Sequence, residues 1–360
     1  MTILRRRTPT EAAEEYKEEV KASEEPKSEE PKEAKDLIVS TGSTLLDLAI
    51  FGGRRRGGGL PGGLIVEVFG EAQLGKTAVL AEICGCAQSA GGDVRFADPE
   101  ARLDREYAEI YGVNLPEDKY WRPVYVQDFF NDIQKWDPPN KNVVNIYGGD
   151  SLAALTTKLE MNEDEGDKMG MRRAKDMSAG LRKTGNILAQ GGYKTLVCTN
   201  QVRQGDTGLV TPGGKGVPFW ASVRIYVAAM YKKKYGRPHH IEKEVTLESG
   251  RKVPKVIGIN SIATVIKNSK DDPHREAYIP IIFGYGIDDI RANLQWQKDM
   301  KKDGTYECGD GTTYQAMDFA IQYVERNNLE DKLKEQVVDL WLEIEEKFKK
   351  NTRNRKRKLR

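Results

Sequence analysis

The chain has 360 residues, 38% hydrophobic and 31% charged, with 57 basic against 55 acidic residues and a formal net charge of only +2. That length supports a substantial core, as one large domain with a small companion, and the near-neutral balance excludes a uniformly basic nucleic-acid binder, so any such signal has to be local. The four cysteines, Cys84, Cys86, Cys198 and Cys308, contain no C-x-x-C pair, which speaks against zinc or a disulfide framework and fits buried thiols in a reducing cytoplasm.

The first residues hold no apolar run of signal-peptide length, and no later stretch approaches a membrane span, so a cytoplasmic protein without membrane contact is expected. Residues 1–37 read as a charged segment: positions 11 to 35 include ten Glu and five Lys with hardly an apolar residue. Such a composition buries too little surface to offset its ordering entropy, and a mobile tail or a loose solvated helix is expected. Folded structure should begin near "DLIVSTGSTLLDLAIFGG".

The first core strand is expected at 64–69, "LIVEVF", running directly into "GEAQLGKT", which fits G-x-x-x-x-G-K-[ST]. "KTAVLAEICGCAQSA" continues as a helix, giving the strand–loop–helix context that a phosphate-binding loop requires. The run Gly70, Glu71, Ala72, Gln73, Leu74, Gly75, Lys76, Thr77 and Ala78 is then the nucleotide cradle. Gly70 and Gly75 let backbone N–H groups approach the phosphates, Lys76 bridges the terminal phosphates and Thr77 places its hydroxyl on Mg²⁺, so ATP and Mg²⁺ are the expected cofactors.

A second strand, "VRFA" (94–97), precedes "DPEARLDREYAEIYGV". Glu100 there is placed to act as general base or to position a water for the γ-phosphate; taken alone, it also reads as a charge at a helix N-terminus. A third strand, "VVNIY" (143–147), leads to Asp150 and Ser151, with Asp150 suited to the Mg²⁺ shell. Further strands are expected at 195–199, 223–229, 262–266 and 278–283. The first four are spaced for helical crossovers, predicting an α/β fold with a mostly parallel central sheet flanked by helices; the last three are closer together and are expected to pair antiparallel at one edge. Beyond residue 303 the apolar period becomes helical, with a break at Asn327 and Asn328. The organisation is therefore a core over 38–290, a small C-terminal helical domain over 291–350 and a tail over 351–360. That tail has six basic residues in ten and reads as a solvated end or as a polyanion-binding arm.

The blocks "VSTGSTLLDLAIFGG", "GGLIVEVFGEAQLGKT", "ADPEARLDREYAEIYGV", "GDSLAALTTK", "TNQVR" and "TPGGKGVPFWASVR" occur in the order of the bacterial RecA recombinases, and the chain resembles a diverged member over residues 38 to about 290. The resemblance implies a RecA-like P-loop ATPase. It assigns water activation to Glu100, adenine contacts to Asp104 and Tyr107, and γ-phosphate sensing to Gln201. Lys267 matches the first of two lysines that reach ATP across a subunit boundary; the second position is Ser269, with Lys270 one residue later. Phe219 matches an interface aromatic, with a core aromatic as the alternative.

Two loops carry DNA in that family, corresponding here to "TTKLEMNEDEGDKMGMRRAKDM" (156–177) and "RQGDTGLVTPGGKGV" (203–217). In and around them Lys168, Arg172, Arg173, Lys175, Arg182, Arg203, Gly213, Gly214 and Lys215 are the candidate DNA contacts; singly each cation also reads as a solvated face, whereas the cluster suits sequence-independent phosphate contacts. The chain departs from the family pattern at the basic insertion "FGGRRRGGGLPGG" (51–63), at Gly148 and Gly149 before Asp150, and in its basic tail. The implied function is an ATP-dependent recombinase that assembles as a filament on single-stranded DNA, pairs it with a homologous duplex and exchanges strands. A ring ATPase acting as a helicase and a poorly hydrolysing DNA-binding module are the alternatives.

Overall fold

Residues 37–103, 105–158, 166–205, 208–212, 214–231, 239–302 and 304–351 are described by the computed structural model. Strand β1 (Ile38–Val39) pairs with β2 (Leu60–Pro61) around helix α1 (Thr44–Phe51), which starts at Ser43, whose hydroxyl accepts from the Leu46 amide. Every residue of α1 is buried, so it is a core helix and not an amphipathic surface one. Strand β3 (Ile65–Gly70), helix α2 (Lys76–Ser89), β4 (Val94–Ala97), α3 (Arg105–Ile110), β5 (Tyr120–Trp121), α4 (Val126–Lys135), β6 (Asn145–Gly149), α5 (Gly166–Gly191) and β7 (Lys194–Gln201) follow. The chain continues through β8 (Arg203–Gly205), β9 (Gly208–Val210), α6 (Gly216–Trp220), β10 (Val223–Ala229), β11 (His240–Thr246), β12 (Lys252–Asn268), β13 (Glu276–Ile282) and β14 (Gly286–Ile287). It closes with α7 (Asp289–Lys301), β15 (Tyr306–Cys308), β16 (Thr312–Tyr314), α8 (Met317–Arg326) and α9 (Glu330–Asn351).

The main sheet runs β14-β13-β12-β10-β3-β7-β6-β4-β5, with β11 added on β12. The four expected crossover strands pair in parallel as read from their spacing. The edge expectation holds: β10 pairs antiparallel with β12, and β12 with β13 and β11; β10 also lies parallel to β3 and so joins this edge to the parallel strands. The segment 202–222, with α6 in it, is long enough to carry the chain back to the starting edge of the sheet, as a parallel neighbour requires. β12 is also far longer than 262–266; its first half and β11 form a largely exposed ribbon whose polar sequence lacks the apolar run of a buried strand.

β6 spans 145–149 instead of 143–147 because the two glycines belong to the strand. A Cβ on Gly148 would lie 2.7 Å from the Phe96 ring, and one on Gly149 would lie 3.1 Å from Phe129. Both rings are fully buried, so these positions exchange side-chain volume with aromatic neighbours. Gly148→Ala is expected to destabilise the fold by about 1–3 kcal/mol through overpacking, read as a lowered urea midpoint at unchanged slope.

Residues 166–177 are helical, not loop, which corrects the first DNA-loop boundary. Met177, Leu181, Thr184 and Leu188 recur at helical spacing and are buried, the three apolar ones packing in the cluster that includes Phe129, Phe130 and Ile133 of α4. In the C-terminal part α7, α8 and α9 enclose Leu294, Cys308, Ala320, Val324 and Leu333 with the β15–β16 hairpin, an element the helical periodicity did not announce. The basic insertion meets this part directly: Arg56 reaches Glu335 at 2.5 Å and Asp339 at 2.6 Å on α9. All three side chains are half exposed or more, so the pairs orient the helix more than they stabilise it, and they occupy one of the insertion's three arginines. Cys84, Cys198 and Cys308 are buried free thiols. No helix among the described residues is long and apolar enough to cross a membrane.

Candidate functional site

The loop after β3 ends at Gly75, which sits at the N-cap of α2 with φ 90°. No side chain caps that helix, so its first amides face outward as anion donors. A Cβ at Gly75 would lie 2.0 Å from Ile281 of β13; glycine is required there for conformation and for space. Ala72, Gln73, Leu74, Gly75, Lys76, Thr77 and Ala78 line a cavity of about 680 Å³, a size typical of small-molecule sites. Gly70 closes β3, and the Glu71 carbonyl accepts from the Lys76 ammonium at 2.5 Å, though Glu71 is not among the residues lining the cavity. Burial holds the Lys76 pKa below the usual lysine value, against the opposing pull of Asp150, while the Arg102 charge adds to the depression.

Asp150, just past β6, accepts from the Thr77 hydroxyl at 2.6 Å and from the Thr199 hydroxyl. Burial raises its pKa and those hydrogen bonds oppose the rise. A hydroxyl and a carboxylate beside a phosphate cradle are hard oxygen donors of the kind Mg²⁺ takes together with substrate phosphates, so these residues fit that ion. No cluster of three or more acidic, His or Cys ligands occurs among the described residues.

Glu100 lies in the same cavity. Its carboxylate accepts from the Ser151 hydroxyl and from the Gln201 amide at 3.3 Å, and Arg102 stands 2.5 Å from its other oxygen. Asp98, fully buried, fixes this turn by accepting from the Leu103 amide at 2.9 Å and the Tyr120 hydroxyl at 2.8 Å. Tyr107 and Tyr111 line the cavity with their hydroxyls 2.9 Å apart, and Phe283, 59% exposed, adds a third ring. Gln201 ends β7 and so joins the cavity to the segment that follows it.

That segment is braced from beneath. Asn200 donates to the buried Glu67 at 2.9 Å and to the Pro212 carbonyl at 3.1 Å, while Glu67 also accepts from Arg224 at 2.6 Å. Arg172, Lys175 and Arg182 are exposed on α5, with Arg173 half-buried. The N-terminal half of that helix adjoins the second loop: Gly214 approaches Ala174, Gly216 approaches Ser178, and Trp220 donates to the Ser178 hydroxyl at 3.3 Å. Arg203 and Lys215 are exposed. The structure thus brings Arg172, Arg173, Lys175, Gly214 and Lys215 to one neighbourhood, with Arg182 farther along the helix. Lys267 is not in the cavity; its ammonium donates at 2.8 Å to the carbonyls of Pro218 and Phe219. Phe219 is 71% exposed, which removes the core-aromatic alternative.

Residues 27–288 match the model of the RecA N-terminal domain family. A Protein RecA from Deinococcus radiodurans is 31% identical over 312 residues, covering 84% of this chain and 79% of that one. A Protein RecA from Wolinella succinogenes is 34% identical over 265 residues, 72% of this chain and 68% of the relative, and one from Thermus thermophilus is 32% identical over 268 residues, 73% and 71%. The chain belongs to the RecA family. It is accordingly a DNA-dependent ATPase and an ATP-dependent recombinase that uses nucleotide and magnesium and binds DNA.

Within this RecA-family protein, Asp104, the Lys168 side chain and Gly213 lie outside the described residues, as do the N-terminal segment and the tail from 352. Sequence reasoning missed Arg102, Tyr111, Thr199, Phe283 and the histidines His239 and His240, all of which line the cavity. Arg102 was within reach, as a cation two positions after Glu100. Phe283 and the histidines carry no local signal, since they enter from the antiparallel edge of the sheet. Phe283→Ala is expected to weaken ATP and ADP binding about tenfold, given that base–aromatic stacking is worth roughly 1–3 kcal/mol; fluorescent-nucleotide titration checks it.

Proposed function

We propose that ATP held in this cavity switches the protein between states that grip and release single-stranded DNA, along which it assembles as a filament to pair a homologous duplex and exchange strands. The observation that carries the reading is Gln201: its amide bonds to Glu100 at 3.3 Å, and it ends β7 two positions before the start of the glycine-rich, basic segment 203–217. A γ-phosphate arriving beside Glu100 would compete for that amide, so occupancy of the cavity is felt at the base of the loop.

In this scheme the α2 amides and Lys76 hold the phosphates, and Thr77 and Asp150 would hold Mg²⁺, which would supply positive charge to offset that of the phosphates. Glu100 orients the attacking water and takes its proton. Tyr107, Tyr111 and Phe283 receive the base. Arg172, Arg173, Lys175, Arg182, Arg203 and Lys215 contact phosphates without reading sequence, leaving specificity to base pairing. Lys267, at the exposed Phe219, would meet a neighbouring subunit's nucleotide. Residues 38–290 act as the ATPase and DNA core, 291–350 as the C-terminal helical domain, and the setting is cytoplasmic.

Electron microscopy of the protein on single-stranded DNA with a non-hydrolysable ATP analogue, paired with a D-loop assay, tests the proposal. Helical filaments and D-loops are expected. Closed rings that unwind duplex would support a helicase instead, and DNA binding without stimulated hydrolysis would reduce the protein to a binding module.

A further inference from the structure

Arg102 has no role in the scheme above, although its guanidinium is inside the nucleotide cavity. It stands 2.5 Å from the carboxylate proposed to activate water, and its charge acts on Lys76, lowering that residue's pKa. The turn that carries it is held at both ends: the Ala101 amide donates to the Asp98 carbonyl at 3.2 Å and the Leu103 amide to the Asp98 carboxylate at 2.9 Å. Between them Ala101 adopts φ 54°, a left-handed conformation that costs a non-glycine residue energy and that concentrates at functional sites. The side chain itself is 52% exposed, free to pivot on a fixed backbone.

Two cations in one cavity repel each other unless an anion lies between them. We propose that Arg102 is a catalytic arginine supplied in cis: it rests on Glu100 in the free protein and turns to the γ-phosphoryl oxygens when a nucleoside triphosphate enters. The inference rests on the reading of this cavity as the ATP site. In hydrolysis the water oxygen bonds to the γ-phosphorus and its proton passes to Glu100. The bond from that phosphorus to the bridging oxygen breaks, and the electron pair leaves on ADP. Arg102 neutralises charge on the phosphoryl oxygens through this exchange, and its departure from Glu100 frees the carboxylate oxygen it had engaged. The same movement makes the site selective for a triphosphate, because ADP presents no γ-oxygens for the guanidinium to reach.

The test uses the full-length protein with Arg102→Ala and Arg102→Lys. ATP turnover on single-stranded DNA is measured beside the equilibrium affinity for fluorescent ADP, alone and with aluminium fluoride as a mimic of the transferring phosphoryl group. For Arg102→Ala, turnover is expected to fall about 10³-fold, as for other arginines in this position. ADP affinity should be unchanged, while the tightening caused by aluminium fluoride should be lost. Arg102→Lys should recover part of both, since an ammonium supplies charge without the planar fork. Turnover and aluminium-fluoride tightening that both stay normal in Arg102→Ala would overturn the proposal, leaving a surface ion pair. Increased turnover would overturn it too, showing that the arginine only restrains Glu100. Failure of the unmodified protein to bind any nucleotide would instead remove the ATP site on which the proposal stands.

Discussion

Lys76→Ala is expected to remove ATP turnover altogether and with it nucleotide-dependent binding of single-stranded DNA. The lysine is buried at the head of α2 and donates to the Glu71 carbonyl at 2.5 Å, poised over the loop where terminal phosphates would lie. Hydrogen bonds to charged groups are worth about 1.5–3 kcal/mol, so the equilibrium affinity for ATP should drop roughly 10- to 100-fold. Turnover should drop further, because the charge grows where the lysine acts. Stability should not follow. Burial already opposes the charged form of Lys76, and removing a cation that pays a desolvation penalty leaves the thermal midpoint unchanged or raised. A variant that folds normally, binds ATP more weakly by that factor and no longer responds to ATP on DNA is the expected result; ATP-stimulated DNA binding in it would refute the phosphate-loop role.

Glu100→Gln should separate binding from chemistry. The amide keeps the size of the side chain and can still accept from Ser151 and meet Gln201, so ATP binding and filament assembly are expected to persist. It cannot take a proton from water, and turnover should fall by about 10²-fold or more. Because hydrolysis is the releasing step in the proposed cycle, complexes on single-stranded DNA should outlive those of the unmodified protein in a challenge with competitor DNA. Near-normal turnover would return Glu100 to the role of a charge at the start of α3. The ion pair with Arg102 is lost in this variant as well. The two arginine variants above preserve Glu100, so the comparison assigns each effect to its own residue.

The nucleotide loop was legible in the sequence because its chemistry is local. Gly70, Gly75, Lys76 and Thr77 stand at fixed spacing between an apolar strand and an alanine-rich helix, and such a segment presents its amides in the same way wherever it occurs. The parallel strands β3, β4, β6 and β7 were legible for a similar reason: buried strands of this kind are short apolar runs, and crossover lengths leave little choice of connection. The membership of Glu100 and Gln201 in one site came from the family resemblance, not from periodicity.

Other features were settled by partners distant in the chain. The resemblance placed residues 156–177 in a DNA-carrying loop; from 166 onward they are helix, secured by packing Met177, Leu181 and Leu188 near Phe129 and Phe130. Gly148 and Gly149 stood out as a departure from the family pattern, and Phe96 and Phe129 are what fill the space beside them. The partners of Arg56, Glu335 and Asp339, come from α9, far along the chain. The parallel placement of β10, the entry of Phe283 into the cavity and the exposure of Phe219 likewise depend on strand pairing and on surfaces assembled from separated segments. By itself, then, the sequence determined the phosphate loop, the parallel strands and the helical C-terminal period. Tertiary structure decided which side chains share the cavity, since periodicity records only which face of an element is apolar and pairing records what that face meets.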